Sequence, residues 1–256
     1  MGELSRSGFQ EERSMMIVDF HAHLDEPGTS NWAALQGFER TVLLADPDTN
    51  AQVLEFCNAR KGRFIPFAFL DLRDIGRAAE QARAFVEQGF RGFKFHPLRQ
   101  RFWPHEARLR PLWETLQRLG VPILTHAGTV AFPNHVVCYA DPSGWGQVAT
   151  DFPELKIVIA HLGGDYSFQA LVLAENHSHI YLDTAYLDFF AARSLPRVEP
   201  VDLIERAVRF AGAEKVLFAS EGMTPEVICR CSAIGLPERQ LIFWKNALRV
   251  LAEPGG

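Results

Sequence analysis

Short runs rich in Val, Ile, Leu and Phe recur along the chain at 16–21, 41–46 (TVLLAD), 64–70 (FIPFAFL), 91–96 (RGFKFH), 121–126 (VPILTH), 156–161 (KIVIAH), 179–184 (HIYLDT) and 215–220 (KVLFAS). Stretches such as IVIA do not alternate polar with apolar residues, the pattern expected of parallel strands covered on both faces. Segments with apolar residues at three- and four-residue spacing lie between them, notably 75–89 and 107–120, each ending in glycine, the usual helix stop. The same spacing returns at 200–212, where Asp202 is the expected N-cap. Eight strands alternating with helices predict an α/β chain folded as a (β/α)8 TIM barrel. The rival, a doubly wound open sheet, calls for a glycine-rich phosphate turn after the first strand, and the sequence has none there.

No internal repeat, low-complexity tract or interdomain linker interrupts this pattern, so 16–256 is expected to be one barrel domain. Residues 1–15 are polar and charged and are expected to form a flexible leader. The segment 129–150, rich in loop-forming residues, reads as a long loop after strand five, suited to covering a site. At 256 residues and 47% hydrophobic, the chain can bury a large core without dividing.

Charge and cysteine content narrow the function classes. The net charge is −5 and no long basic run appears, which argues against nucleic acid or an anionic membrane as the main partner. No secretory leader or membrane-length apolar run is seen, so a reduced cytoplasmic protein is expected. Cys57, Cys138, Cys229 and Cys231 are scattered. The Cys229-Arg230-Cys231 pair has no second cluster near it in sequence and reads as ordinary packing. A small molecule is the expected partner, and self-association into a homo-oligomer stays open.

Barrel sites form at the C-terminal ends of the strands, so polar residues there carry the functional signal. Strand one ends in His21 and His23, two apart and therefore on one face. Strand four carries Lys94 and His96, also on one face. Strand five ends at His126, strand six at His161 and strand eight at Ser220-Glu221. Any one histidine at a strand end is most simply a hydrogen-bonded structural residue. Imidazoles at the ends of strands one, four, five and six, however, converge on one barrel mouth. With a carboxylate they make a ligand set suited to zinc, with manganese or another divalent ion as the alternative.

The motifs VDFHAHL, PILTHAG, FPELKIVIAHLGG and VLFASEG, in that order, resemble the amidohydrolase superfamily. The nearest likeness is to the amidohydrolase-related branch of metal-dependent hydrolases and non-oxidative decarboxylases. The resemblance runs from Ile17 to about Leu251 and includes KNALRVL near the end. It implies that His21 and His23 bind a first metal and that His126 is a further ligand. It also implies that His161 either binds a second metal or polarises substrate and water. Lys94 occupies the strand where binuclear members carry a carboxylated, metal-bridging lysine. It could instead meet a substrate carboxylate or pair with Glu221.

Strand eight departs from the family, which has Ser-Asp or Thr-Asp where this chain has Ser220-Glu221. The added methylene moves the carboxylate by roughly 1–1.5 Å, a displacement that matters for catalytic alignment. The resemblance implies one or two metal ions and hydrolysis of a small ester, lactone or amide, with Glu221 as proton acceptor and His161 assisting. Lys94, His96 and Arg99 are candidate substrate contacts, Arg99 lying near Arg91 and Arg101 in a cationic cluster around strand four. Three alternatives stand beside hydrolysis. Decarboxylation or hydration uses the same centre. A TatD-type nuclease shares the opening motif but expects glutamate where Lys94 stands. A non-catalytic barrel is suggested by Glu221.

Overall fold

In the computed structural model, which describes residues 15–24, 37–60, 62–130 and 133–252, each of the eight apolar runs contributes a strand. These are β1 (Val18–His23), β2 (Arg40–Leu44), β3 (Phe64–Phe69), β4 (Gly92–Phe95), β5 (Ile123–Thr125), β6 (Ile157–Ile159), β7 (Ile180–Asp183) and β8 (Val216–Leu217). All pair in parallel in sequential order, and the Phe20 N–H donates to Phe218 O at 3.0 Å across the seam between the first and last strands. The result is the expected (β/α)8 barrel. Of the leader, residues 1–14 lie outside the described residues.

Between the strands run α1 (Asn50–Ala59), α2 (Ile75–Gln88), α3 (Arg110–Leu119), α4 (Trp145–Asp151), α5 (Ser167–Asn176), α6 (Leu187–Arg193) and α7 (Pro200–Ala211). Asp74 caps α2 by accepting from the Arg77 N–H, and Gly89 ends the helix in the left-handed region that glycine enters freely. The cap of α7 differs from expectation. Pro200 takes the first turn, so Glu199 becomes the N-cap, and Asp202, inside the helix, accepts the Glu199 N–H at 2.9 Å. The 129–150 segment is also less irregular than expected, because residues 145–151 form α4 and bury Trp145, Val148 and Ala149.

The core has two shells. Inside the barrel, Val18, Phe20, Val42, Phe67, Val158 and Leu217 pack against one another. Outside it, Phe93, Phe95, Trp113 and Trp145 fill the space beneath the helices, and the Trp113 indole N–H finds Pro104 O at 2.8 Å. Among the described residues, no helix is long and apolar enough to cross a membrane.

Two irregularities position the mouth. β1 carries one extra residue between Asp19 and Ala22 relative to β2, a bulge that flips the inside–outside alternation. Phe20 therefore faces the barrel interior while His21 and His23 both turn to the mouth, and Ala22 packs outward with Leu43 and Val53. β8 is shorter than the expected 215–220. Beyond Leu217, side chains replace the ladder: Thr184 Oγ1 accepts the Ala219 N–H at 3.0 Å and Asp19 Oδ1 accepts the Ser220 N–H at 2.8 Å.

The interior leaves no room for an added methyl at Gly92, which pairs with Phe67. A Cβ there would sit 2.6 Å from Cε1 of the Phe67 ring. Gly92→Ala is expected to destabilise the barrel by about 1–3 kcal/mol, as overpacking does, measured by urea denaturation. A change within error would show that the Phe67 ring swings aside freely.

Candidate active site

The strand ends open onto a cavity of about 430 Å³. His21, His23, Lys94, His96, His126, His161, Arg99 and Glu221, all expected on the mouth, line it. Arg91 and Arg101 are exposed and do not line it. Arg91 precedes β4 at the opposite end of the barrel, and Arg101 ends the helical turn Pro97–Gln100 in a left-handed conformation.

His21 is held at both nitrogens. Its Nδ1 lies 2.9 Å from Asp183 Oδ2, while Nε2 faces Glu221 Oε2 at 3.4 Å and Lys94 Nζ at 3.3 Å. Asp183 is buried at the end of β7, and its Oδ1 accepts the backbone N–H of His161 at 2.7 Å and of Ala185 at 3.1 Å. This carboxylate therefore fixes His21 as the Nδ1–H tautomer and sets its Nε2 lone pair toward the mouth.

β6 stops at Ile159, two residues short of its expected end. His161 and Leu162 take left-handed backbone angles, φ 60° and 48°, before Gly163 and Gly164. The turn needs glycine at its close, since a Cβ on Gly164 would sit 2.7 Å from Gly128 Cα. It delivers the His161 ring into the pocket, Nδ1 3.0 Å from Ala185 O and Nε2 3.2 Å from His126 Nδ1. His126 Nε2 in turn lies 3.0 Å from Gly128 O, and the His126 ring stacks on His96 with centroids 4.0 Å apart. A carbonyl only accepts, so the nitrogens facing Ala185 O and Gly128 O carry the protons. The two neutral rings thus turn lone pairs toward each other, an arrangement suited to a cation.

Burial holds the imidazoles of His21, His96 and His126 well below their ordinary range and takes His161 down to about 3, so all four rings are neutral at pH 7. Burial also raises the carboxyls of Glu221 and Asp183, and lowers the Lys94 amine to about 8.

Glu221 stands at φ 37°, followed by Gly222 at φ 94°, so the chain leaves the strand direction where the carboxylate begins. The residue keeps 29% exposure, yet Oε2 is buried and has no hydrogen-bond partner. It lies 3.6 Å from His161 Nδ1, and one donor atom from each of His21, His161 and Glu221 falls within 4.8 Å of the others. His23 flanks this group with Nε2 3.9 Å from Glu221 Oε1, and His126 flanks it through His161. An orphaned buried carboxylate oxygen beside neutral imidazoles fits a divalent ion. Lys94 does not oppose that fit, because a cation alongside it favours the neutral amine further.

The sequence profile of the family described as Amidohydrolase matches residues 18–252. The chain belongs to the amidohydrolase family. No curated protein matches it. Among solved structures, this amidohydrolase is similar to an uncharacterized TIM-barrel protein from Bordetella bronchiseptica, with TM-score 0.75 and 19% identity over 93% of this chain and 99% of that one. A dihydroxybenzoic acid decarboxylase from Polaromonas with bound manganese and the inhibitor 2-nitroresorcinol matches at TM-score 0.66 and 17% identity, covering 93% and 97%. A Pseudomonas putida protein named as a 2-pyrone-4,6-dicarboxylic acid hydrolase matches at 0.68 and 16%, covering 93% and 98%. At these identities the likeness establishes the shared barrel.

Three carboxylates at the site were not among the sequence candidates: Asp19, Asp46 and Asp183. Each sits in or just after an apolar run (IVDF, LLAD, IYLDT), and an acidic residue amid strand-forming neighbours was the available signal.

Asp183→Asn keeps an acceptor for the two backbone N–H groups but turns an amide N–H toward His21 Nδ1, forcing the proton to Nε2. Divalent-metal affinity is expected to fall by ~10–100-fold with secondary structure retained, measured by competition with a chromophoric chelator. Unchanged affinity would remove Asp183 from the support of the site.

Proposed function

We propose that this amidohydrolase is a metal-dependent hydrolase of a small-molecule ester, lactone or amide. The observation that carries the reading is Glu221 Oε2, buried, unpaired and facing His21 and His161. His21, His23, His126, His161 and Glu221 are the residues that would hold one or two divalent ions, zinc first and manganese as the alternative. When bound there, such an ion polarises a carbonyl and lowers the pKa of a coordinated water to about 7.

The chain's own groups supply the rest. Glu221 accepts the proton of the attacking water at Oε2 and returns it to the leaving group, a role its burial-raised pKa favours. His161, with Nδ1 3.6 Å from that oxygen, stands beside the reacting groups and assists by polarising substrate and water. Arg99 supplies the charge of a cationic wall suited to an anionic group on the substrate, with Lys94 and His96 beside it as hydrogen-bonding groups. Tyr186, Phe190 and Phe69 supply an apolar surface for its body. Lys94 Nζ, 3.3 Å from His21 Nε2, also stands among the metal-facing groups.

The same cationic wall favours one second reading, decarboxylation of an aromatic carboxylate. A reducing cytoplasm is the location that suits a chain whose Cys57, Cys138, Cys229 and Cys231 are scattered in sequence.

Glu221→Gln keeps the shape and removes the base, so turnover is expected to drop ~10²–10⁴-fold on whichever lactone, amide or aromatic carboxylate of a test panel the parent converts. Glu221→Asp is expected to slow the enzyme as well, since the site is built around the longer arm and ~1 Å of misplacement is costly. A Gln variant as fast as the parent would make Glu221 a bystander. Conversion of aromatic carboxylates alone would replace hydrolysis with decarboxylation.

A further inference from the structure

At the outer edge of the pocket a third carboxylate meets the histidine pair. Asp46 follows β2, and its Oδ2 lies 3.4 Å from His23 Nδ1 while its Oδ1 lies 3.3 Å from Arg99 Nη1. The other face of the imidazole, Nε2, points to Glu221 Oε1 at 3.9 Å. The position of Asp46 is itself held: its backbone N–H donates to Thr49 Oγ1 at 2.7 Å, and Thr49 returns a bond to Asp46 O at 3.3 Å. The Ala45 N–H before it donates to Phe67 O at 2.9 Å, so the carboxylate projects from a strand end that the barrel has already fixed.

We propose that Asp46 is a positioning residue that locks His23 in its Nδ1–H tautomer and aims Nε2 at Glu221, while tethering Arg99 at the rim of the same pocket. The imidazole has one proton to place in its neutral form, and a carboxylate at Nδ1 draws it there, leaving the Nε2 lone pair for the interior. Asp46 does for His23 what Asp183 does for His21. The two differ in setting, since Asp183 is fully buried and Asp46 is 45% exposed. A carboxylate so exposed contributes little to folding, which separates its positioning role from a structural one. Its second oxygen gives the device another consequence. Arg99, on the wall proposed to receive an anionic group, shares its partner with a proposed metal ligand, so the two functions meet at one side chain.

The consequence for metal rests on the proposed reading of His23 as a ligand; the tautomer does not. The test uses the full-length protein labelled with 15N, first without metal, comparing the parent with Asp46→Asn and Asp46→Glu. In the parent, long-range 15N–1H correlations are expected to show His23 as the Nδ1–H tautomer. Asp46→Asn is expected to shift it toward Nε2–H, and Asp46→Glu to restore much of the Nδ1–H form. Thermal midpoints of both variants are expected to stay near that of the parent. An identical tautomer in parent and Asp46→Asn overturns the proposal. The same samples titrated with zinc against a chromophoric chelator are expected to show ~10–100-fold weaker binding for Asp46→Asn. A tautomer shift without loss of zinc affinity upholds the hold of Asp46 on His23 and removes His23 from the ligand set.

Discussion

A buried carboxylate at the seam of the barrel holds the site together. Asp19 accepts the N–H of Ser220 at 2.8 Å and of His21 at 3.1 Å through Oδ1, and the Ser220 hydroxyl at 2.5 Å through Oδ2. β8 is too short to continue the ladder to the mouth, so these bonds do what strand pairing does elsewhere. They tie the residue before Glu221 and the residue after Phe20 to one rigid group. Burial raises Asp19 to about 7, and the Ser220 and His21 donors oppose that rise by favouring the ionised form. The same donors fix Ser220, from which the chain enters the left-handed turn at Glu221 and Gly222.

From that seam the site follows a common plan. Asp183 sets His21, Asp46 faces His23, and backbone carbonyls of Ala185 and Gly128 face His161 and His126. Every imidazole of the proposed ligand set thus has an acceptor at one nitrogen and the pocket at the other, the arrangement expected around a metal centre. Neutral rings are what such a centre needs, and burial is the main cause that keeps His21, His126 and His161 neutral.

The barrel and the cluster of histidines were legible in the sequence because both depend on strand periodicity and on which residues end a strand. His126 and Lys94 reach the mouth by simple alternation along β5 and β4. His21 and His161 do not. His21 needs the extra residue in β1, which no alternating pattern reveals, and His161 needs two consecutive left-handed residues ahead of a glycine pair. The supporting carboxylates were missed for a related reason: their partners are distant in sequence. Asp19 and Ser220 are 201 positions apart, and Asp183 and His21 are 162. The N-cap of α7 was misplaced for a local reason, since Pro200 shifts the start of the helix back by three residues from Asp202.

The metal assignment underlies the proposed chemistry, and elemental analysis tests it most directly. Protein purified from zinc- and from manganese-supplemented cultures is expected to carry at least one divalent ion per chain from one of the two media. A content near zero from both, with circular dichroism showing the barrel intact, would contradict it.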